Sequence, residues 1–463
     1  MFKVITRFAP SPTGYIHLGN IRTALFCWLF ARKHNGHFFL RIDDTDKNRY
    51  SKKYVNNIFD SLKWLGIKYD GIPTFQSERV LRYKFFLDHL IADGKAYKCY
   101  CSKERLDSLK EAQMLSKSKI MYDGFCRHRY VSGDDNFVIR FMVDSNGYTE
   151  FNDLIRGKIK IPNNELDDFI ISKDKYNVTY NFASCIDDID FDITHIIRGE
   201  DHISNTQKQI ILIKSFDSPI PNFAHLPMIL DSEKKKLSKR DNSIYIDYYK
   251  KQGFLPMSVL NYIVRLGWGY RDKEIFSLSE MIEFFDIKDV SKSSSCINID
   301  KLLWLNRHYI QKMSFKDLYY FSIPVFKMFN YNYAYGPSII KLIEFNRSKF
   351  YTLYDIFSKS SYFYFVNVDE TNVFKLDLDS LKLVLKFYYD LKKSFYLWNI
   401  LNIKFHVEYF LKENGIIFLD FAVSLRVIIT GVNLSTSLYE LIFLSGKILI
   451  LKKIINTIRR VGL

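Results

Sequence analysis

Apolar and polar positions along the first seventy residues alternate between two periods. Lys3 to Phe8 is apolar and β-prone and predicts a buried strand. Pro10-Ser-Pro-Thr-Gly14 follows, a cluster of chain breakers that ends it. From Leu18 the period lengthens. Leu18, Ile21, Leu25, Trp28 and Leu29 fall on one helical face, with Gly36 just beyond the expected end. Phe38 to Ile42 predicts a second strand, and Val55, Ile58, Phe59 and Leu62 place a helix over Tyr54 to Gly66. Strand, turn, helix and strand in this order form the crossover of a parallel sheet.

The later chain is less regular. Thr179 to Ile197 reads as a return to the sheet and Phe223 to Leu230 as a further strand. Residues 245–310 read as helical. From about residue 311 the chain is helical and aromatic, with no assignable motif. No apolar run reaches the roughly 18–20 residues that span a bilayer. Ile416 to Thr430 comes nearest and is interrupted by Asp420 and Arg426. Arg7, Pro10 and Pro12 break up any signal-peptide core, and the six cysteines therefore read as reduced thiols of a cytoplasmic protein.

At 463 residues and 48% hydrophobic content, two or more domains are expected. The net charge of +16 changes the picture, because it points to a polyanionic partner. Residues 301–463 hold 22 Lys+Arg against 12 Asp+Glu and carry +10 of that excess. A compositional bias toward Lys, Asn, Ile, Phe and Tyr throughout the chain is the competing reading of that excess.

Two segments carry candidate chemistry. The turn Pro10-Ser-Pro-Thr-Gly-Tyr-Ile-His-Leu-Gly-Asn20 lies at a helix N-terminus, where free N–H groups and the helix dipole favour phosphate. His17 can donate there, and Gly19 lets a flat base approach the backbone. The second segment is Lys236-Leu-Ser-Lys-Arg240, in a basic loop after the Phe223 strand. There is neither a GxGxxG nor a GxxxxGK[ST] pattern.

Together the two segments resemble the HIGH and KMSKS signatures of class I aminoacyl-tRNA synthetases. Thr6-Arg-Phe-Ala-Pro-Ser-Pro-Thr-Gly14 is similar to the glutamyl-tRNA synthetases of bacterial type. The resemblance covers motifs across residues 1–310 and only architecture beyond. It implies an α/β fold, with a Rossmann-like parallel-sheet catalytic domain at 1–85 and 180–245. An inserted acceptor-end-binding domain would occupy 86–179, a helical linking domain 246–310 and a mostly α-helical anticodon-binding part 311–463. The implied activity is ligation of L-glutamate to tRNA-Glu through a glutamyl-adenylate, by a monomer. The competing readings are a glutaminyl-tRNA synthetase and a small-molecule nucleotidylyltransferase sharing the His-x-Gly turn. Charging of tRNA-Gln stays open.

By the same resemblance His17, Lys236 and Lys239 would serve catalysis, and His17, Gly19, Asn20, Lys236 and Lys239 would bind ATP, which brings Mg²⁺ on its phosphates. Arg7, Ser11, Asp43, Tyr180 and Arg198 would bind glutamate. The guanidinium groups suit the side-chain carboxylate and Asp43 suits the α-ammonium. The family usually has Glu at the Asp43 position. Cys99-x-Cys101 and Cys126-x-His128 form a further constellation. In extended chain each pair would face one side, and three thiolates with one imidazole make a closed tetrahedral set for structural Zn²⁺. A similar site occurs in some bacterial members of the family. Arg347 and Lys349 could meet RNA, although solvated helix charges are the more ordinary reading.

Overall fold

The computed structural model describes residues 3–46, 48–128, 137–235, 244–331, 335–367, 371–432 and 437–460. The chain divides into two compact units: residues 1–248 with 259–299, and residues 249–258 with 300–463.

The first unit is built on a seven-stranded sheet. Its strands are β1 (Ile5–Phe8), β2 (His37–Ile42), β3 (Thr74–Phe75), β6 (Tyr148–Asp153), β7 (Gly157–Pro162), β9 (His195–Gly199) and β10 (Asn222–Leu226). They lie in the order β3-β2-β1-β9-β10-β6-β7, parallel except for the β6–β7 hairpin. A smaller antiparallel sheet joins β4 (Ala96–Cys99), β5 (Val138–Phe141) and β8 (Ile170–Ser172). The hairpin at residues 148–162 sits within the segment expected as an insertion, yet it extends the main sheet. β11 (Ile229–Leu230) pairs with β12 (Ser295–Cys296).

Helix α1 (Leu18–Lys33) covers one face of the main sheet. Its apolar stripe is fully buried, and the Thr6 hydroxyl on that face donates to the Cys27 carbonyl. Helix α2 (Lys52–Leu65) ends on Gly66 at φ +74°, a left-handed conformation that glycine adopts without steric cost. Then follow α3 (Val80–Ala92), α4 (Lys103–Leu115), α5 (Tyr180–Asp190) and α6 (Ile203–Ser215). The stretch Thr179 to Ile197 is thus mostly helix α5, with only its end in β9. Its apolar residues Phe182, Ala183, Cys185 and Ile186 face a core shared with the small sheet, which rewards a helix over a strand. The expected strand Phe223 to Leu230 is interrupted at Pro227, between β10 and β11. Beyond it lie α7 (Ile246–Lys251), α8 (Pro256–Val264) and α9 (Leu278–Phe284).

Chain order creates a switch point. From β1 the chain steps outward to β2 and β3, and later returns to the other side of β1 as β9. In open parallel sheets, ligands bind in the crevice at the carboxyl ends of the strands on either side of such a reversal.

The second unit is helical among its described residues: α10 (Ile299–Lys312), α11 (Phe315–Lys327), α12 (Ile339–Asn346), α13 (Leu353–Ser358), α14 (Leu378–Lys393), α15 (Ile400–Glu413), α16 (Phe418–Thr430), α17 (Leu438–Ser445) and α18 (Lys447–Arg460). Phe326, Phe357, Phe363, Phe387 and Phe421 centre its core. Among the described residues no helix is long and apolar enough to cross a membrane.

Candidate active site

The carboxyl edge of the sheet carries a row of basic side chains. Arg41, Arg7, Arg198 and His225 are each the penultimate residue of β2, β1, β9 and β10. Phe39 is in register with Arg7, and Arg198 with His225, so the row shares one face of the sheet. All four are buried.

Helix α5 lays carboxylates against this row. Asp188 accepts from Arg7 Nε at 3.0 Å, Arg7 Nη2 at 3.3 Å and Arg41 Nη1 at 2.7 Å. The two guanidinium groups outweigh burial and hold its carboxyl below the usual range. Arg41 Nε also donates to Asp43 at 2.8 Å. Burial pushes Asp43 up to about 6 despite that partner. Asp187 lies behind and accepts from Gln76, Arg79 and Tyr83. Arg7, Arg41, Asp43 and Asp188 thus form a charge-balanced lattice.

Arg198 is different. Its Nε donates to His225 Nε2 at 3.3 Å, and its Nη2 to the Thr206 hydroxyl at 2.7 Å and the His202 carbonyl at 3.3 Å. Those acceptors are neutral, and among the described residues Arg198 forms no ion pair. Its Nη1 is buried with no hydrogen-bond partner. A buried donor left unpaired costs about 1–3 kcal/mol, more when charged; Arg22, Arg140 and Arg156 each leave Nε in the same state, and of the four Arg198 is the one in the row at the carboxyl edge. Tyr180 stands close by at the start of α5, its hydroxyl 3.4 Å from His202 Nδ1. Burial raises its pKa, and the charges acting on it come from Arg198, Asp43, Arg7 and Arg41. The structure therefore gathers Arg7, Asp43, Tyr180 and Arg198 into one charged neighbourhood. Ser11 is exposed on the turn after β1, its carbonyl accepting from Thr13.

The turn before α1 is tightly built. His17 is the N-cap: its Nδ1 accepts the Asn20 N–H at 3.3 Å, while Asn20 Oδ1 accepts the His17 N–H at 3.2 Å. A neutral ring that accepts at Nδ1 carries its proton on Nε2. A Cβ on Gly19 would lie 3.1 Å from the His17 ring. The room at Gly19 is thus used first by His17 itself, and the Asn20 side chain is engaged in the cap. The turn is also tied to the chain that follows the lysine loop. Ile246 N–H donates to the Ile16 carbonyl, His17 and Tyr245 form a β-bridge, and Asn57 links the Ile16 N–H to Asp247. Lys236, Lys239 and Arg240 themselves lie outside the described residues.

The cysteine constellation assembles in part. Sulfur atoms of Cys99, Cys101 and Cys126 lie within 4.8 Å of one another. His128 is exposed and stands outside that group. The extended geometry expected for Cys126-x-His128 is not adopted. Residues 125–128 form a turn, with Arg127 N–H donating to the Gly124 carbonyl, and in a turn residues i and i+2 diverge. Cys99-x-Cys101 leaves the end of β4 and does place both sulfurs together. The Tyr122 hydroxyl reaches the same cluster, 3.4 Å from Cys99 Sγ and 3.6 Å from Cys101 Sγ. The donor set is chemically suited to a thiophilic ion such as zinc.

Several residues of the site went unread in the sequence. Asp188, Asp153, His225 and Asn57 belong to no recognised motif, and Arg41 was met only as the start of the segment that carries Asp43. Acidic Asp187-Asp188 in an apolar helix and His225 in an apolar strand were the available signals. In the helical unit, Arg347 donates to the Gln311 carbonyl and lies over Phe315, and Lys349 pairs with Glu440 at 2.8 Å.

The chain is similar to known proteins over nearly its whole length. Residues 3–304 match the family of tRNA synthetases class I (E and Q), catalytic domain, and residues 310–458 match the anticodon binding domain. A glutamate–tRNA ligase of Wigglesworthia glossinidia brevipalpis is 44% identical over 97% of this chain and 96% of its own. One from Francisella philomiragia is 47% identical over 78% of this chain and 77% of its own. The crystal structure of a glutamate tRNA ligase from Elizabethkingia meningosepticum in complex with its amino acid superposes with a TM-score of 0.83, at 29% identity, covering 99% of both chains.

Proposed function

Because the chain belongs to the class I tRNA synthetases (E and Q), we propose that it ligates L-glutamate to tRNA-Glu in two ATP-dependent steps. The observation that carries the choice of glutamate is Arg198. Among the described residues it is a buried guanidinium without a carboxylate partner, and its Nη1 lacks an acceptor. The side-chain carboxylate of glutamate supplies both the charge and the acceptor. The amide of glutamine would supply an acceptor only and leave the charge uncompensated. Arg7 contributes from the other side of the pocket, oriented by Asp188. Asp43 receives the α-ammonium.

In the first step the α-carboxylate of glutamate attacks the α-phosphorus of ATP in line and expels pyrophosphate. The nucleotide arrives as its Mg²⁺ complex. His17 at the helix N-terminus and the lysines of the 236–240 loop stabilise the phosphate charge, and no protein nucleophile is needed. In the second step a ribose hydroxyl of the terminal tRNA adenosine, the 2′-OH in class I enzymes, attacks the mixed anhydride and releases AMP. The helical unit, which matches an anticodon binding domain, reads the far end of the tRNA. The small sheet and its cysteine cluster handle the acceptor end.

Cys99, Cys101 and Cys126 would hold a structural Zn²⁺. The fourth place falls to His128 if the 125–128 turn closes, or to Tyr122 as it stands. Such an ion supplies folding energy, not chemistry. Zinc-free protein of full activity, by metal analysis of a chelator-free preparation, would return these residues to an ordinary core cluster.

Aminoacylation of purified tRNA-Glu and tRNA-Gln with labelled glutamate and glutamine tests the main reading. Glutamate charged onto tRNA-Glu is the expected result, and the tRNA-Gln arm shows whether the anticodon unit discriminates. Glutamine charged in preference to glutamate would overturn it.

A further inference from the structure

His225 lies beside Arg198 on the neighbouring strand, in direct register with it. Its side chain is fully buried. On one side Nδ1 is 2.6 Å from Asp153 Oδ2, a carboxylate at the end of β6 that is equally buried. On the other side Nε2 meets Arg198 Nε at 3.3 Å and the Thr206 hydroxyl at 3.0 Å. A carboxylate can only accept at Nδ1, and a guanidinium can only donate at Nε2. Both neighbours therefore demand the same form of the ring: neutral, with its proton on Nδ1 and its lone pair on Nε2.

We propose that His225, fixed in this tautomer by Asp153, is a positioning residue that aims the Arg198 guanidinium at the side-chain carboxylate of the substrate. The proposal rests on the functional reading above and adds the group that sets its specificity arginine. Three consecutive strands supply the chain: β6 gives Asp153, β10 gives His225 and β9 gives Arg198. A carboxylate placed directly against Arg198 would have satisfied the guanidinium and spent its charge. A neutral imidazole gives the Nε a defined acceptor and leaves the charge for the ligand. Thr206 does the same for Nη2, so that Nε and Nη2 are fixed by neutral acceptors and, among the described residues, Nη1 stays open. The ring has reason to stay neutral, since burial and the Arg198 charge pull its pKa down against the pull of Asp153. Asp153 has other work. It accepts the backbone N–H groups of Ile155, Arg156 and His225, so the test falls on His225.

The test measures aminoacylation by the full chain, with glutamate and ATP varied separately, for the wild type, His225→Leu and His225→Gln. His225→Leu should raise the glutamate KM by about tenfold to a hundredfold, the cost of a lost hydrogen bond to a charged group. The ATP KM should stay within about twofold of wild type. His225→Gln should recover most of the loss, because its amide oxygen can accept from Arg198 Nε. An equal rise in both KM values, or no rise in a folded variant, overturns the proposal. The imidazole ¹⁵N spectrum of the wild-type protein is a second readout that needs no variant. It should show His225 as the neutral Nδ1–H tautomer, and an Nε2–H or doubly protonated ring overturns the proposal. Failure of the wild type to charge glutamate would instead overturn the functional reading, and the ¹⁵N result would still decide the tautomer.

Discussion

Among the described residues each unit buries a cation that has no carboxylate partner, and two such cations, Arg198 and Lys453, are treated differently. In the α/β unit, Arg198 is held by an imidazole, a hydroxyl and a carbonyl, and keeps one buried N–H group unpaired. In the helical unit, Lys453 on α18 is fully buried and donates at 2.6 Å to the carbonyls of Tyr362 and Ile429. The Ile429 carbonyl belongs to the last turn of α16, where carbonyls lack intrahelical partners. Lys453 completes that helix end and is not among the buried groups left without a partner. The satisfied cation is part of the architecture; the other keeps a donor to spare for the proposed substrate. Ionisation separates them as well. A guanidinium stays charged when buried, whereas burial brings the Lys453 ammonium down to about 7.

The largest expected effect lies at Arg198. Removing one partner of a buried charge pair costs about 3–5 kcal/mol, so Arg198→Ala should raise the glutamate KM by roughly 10²–10³-fold or more. The ATP KM should be nearly unchanged. Arg198→Lys should remain strongly impaired, because an ammonium cannot reproduce the planar set of donors that meets His225, Thr206 and the substrate together. Lys453→Met in the same assay should leave the glutamate KM alone. If it moved that KM as Arg198→Ala does, the distinction between the two cations would collapse.

A smaller effect concerns the acid in the same pocket. Burial raises Asp43 to about 6, and its carboxylate form is the one that can pair with the α-ammonium of glutamate. Protonation therefore removes the partner as pH falls through about 6. The glutamate KM should climb below that pH, by up to about tenfold per unit, and level off above it. Asp43→Asn should start from a raised KM and show no such climb. Steady-state kinetics between pH 5 and 8 checks both points. An unchanged wild-type KM across that range would remove Asp43 from the ammonium site.

Legibility of the sequence followed the same divide between motif and partner. The turn from Pro10 to Asn20 and the crossover around it were readable, because helix period, breakers and strand lengths are local properties. Arg7 and Arg198 were reached through segments similar to a known family. Their partners were not, since Asp188 and His225 acquire meaning only when α5 and β10 are laid against the sheet. Thr179 to Ile197 reads as sheet because its short apolar run fits either period, and tertiary burial makes Tyr180–Asp190 a helix. Extended backbone would pair His128 with Cys126, and the 125–128 turn separates them. In the helical unit, α10 to α18 could be anticipated as helix and little more. Its apolar pattern specifies a core and nothing about what the surface meets.

The smallest effect is also the most direct test of Lys453. In the unfolded chain a lysine keeps its ordinary pKa near 10.4, while in the folded unit the value is about 7. Between those limits the unfolded state binds more protons than the folded state, so stability rises with pH across the window. Below about pH 7 both states are protonated and the cost of burying the charge is borne in full. The slope cannot exceed about 1.4 kcal/mol per pH unit, and the other titrating groups of the unit act on top of it. Urea unfolding followed by tryptophan fluorescence (Trp398 lies in this unit) should show the midpoint rising between pH 7 and 9. Lys453→Met removes the titration but leaves the Tyr362 and Ile429 carbonyls without their donor, at a cost of about 1–3 kcal/mol for each buried group that finds no other. Its midpoint should accordingly be lower at pH 9 and should lose the rise that the wild type shows. A wild-type slope kept intact in Lys453→Met would mean that some other group of the unit carries it. The contrast with Arg198 would then rest on the unpaired guanidinium nitrogen alone.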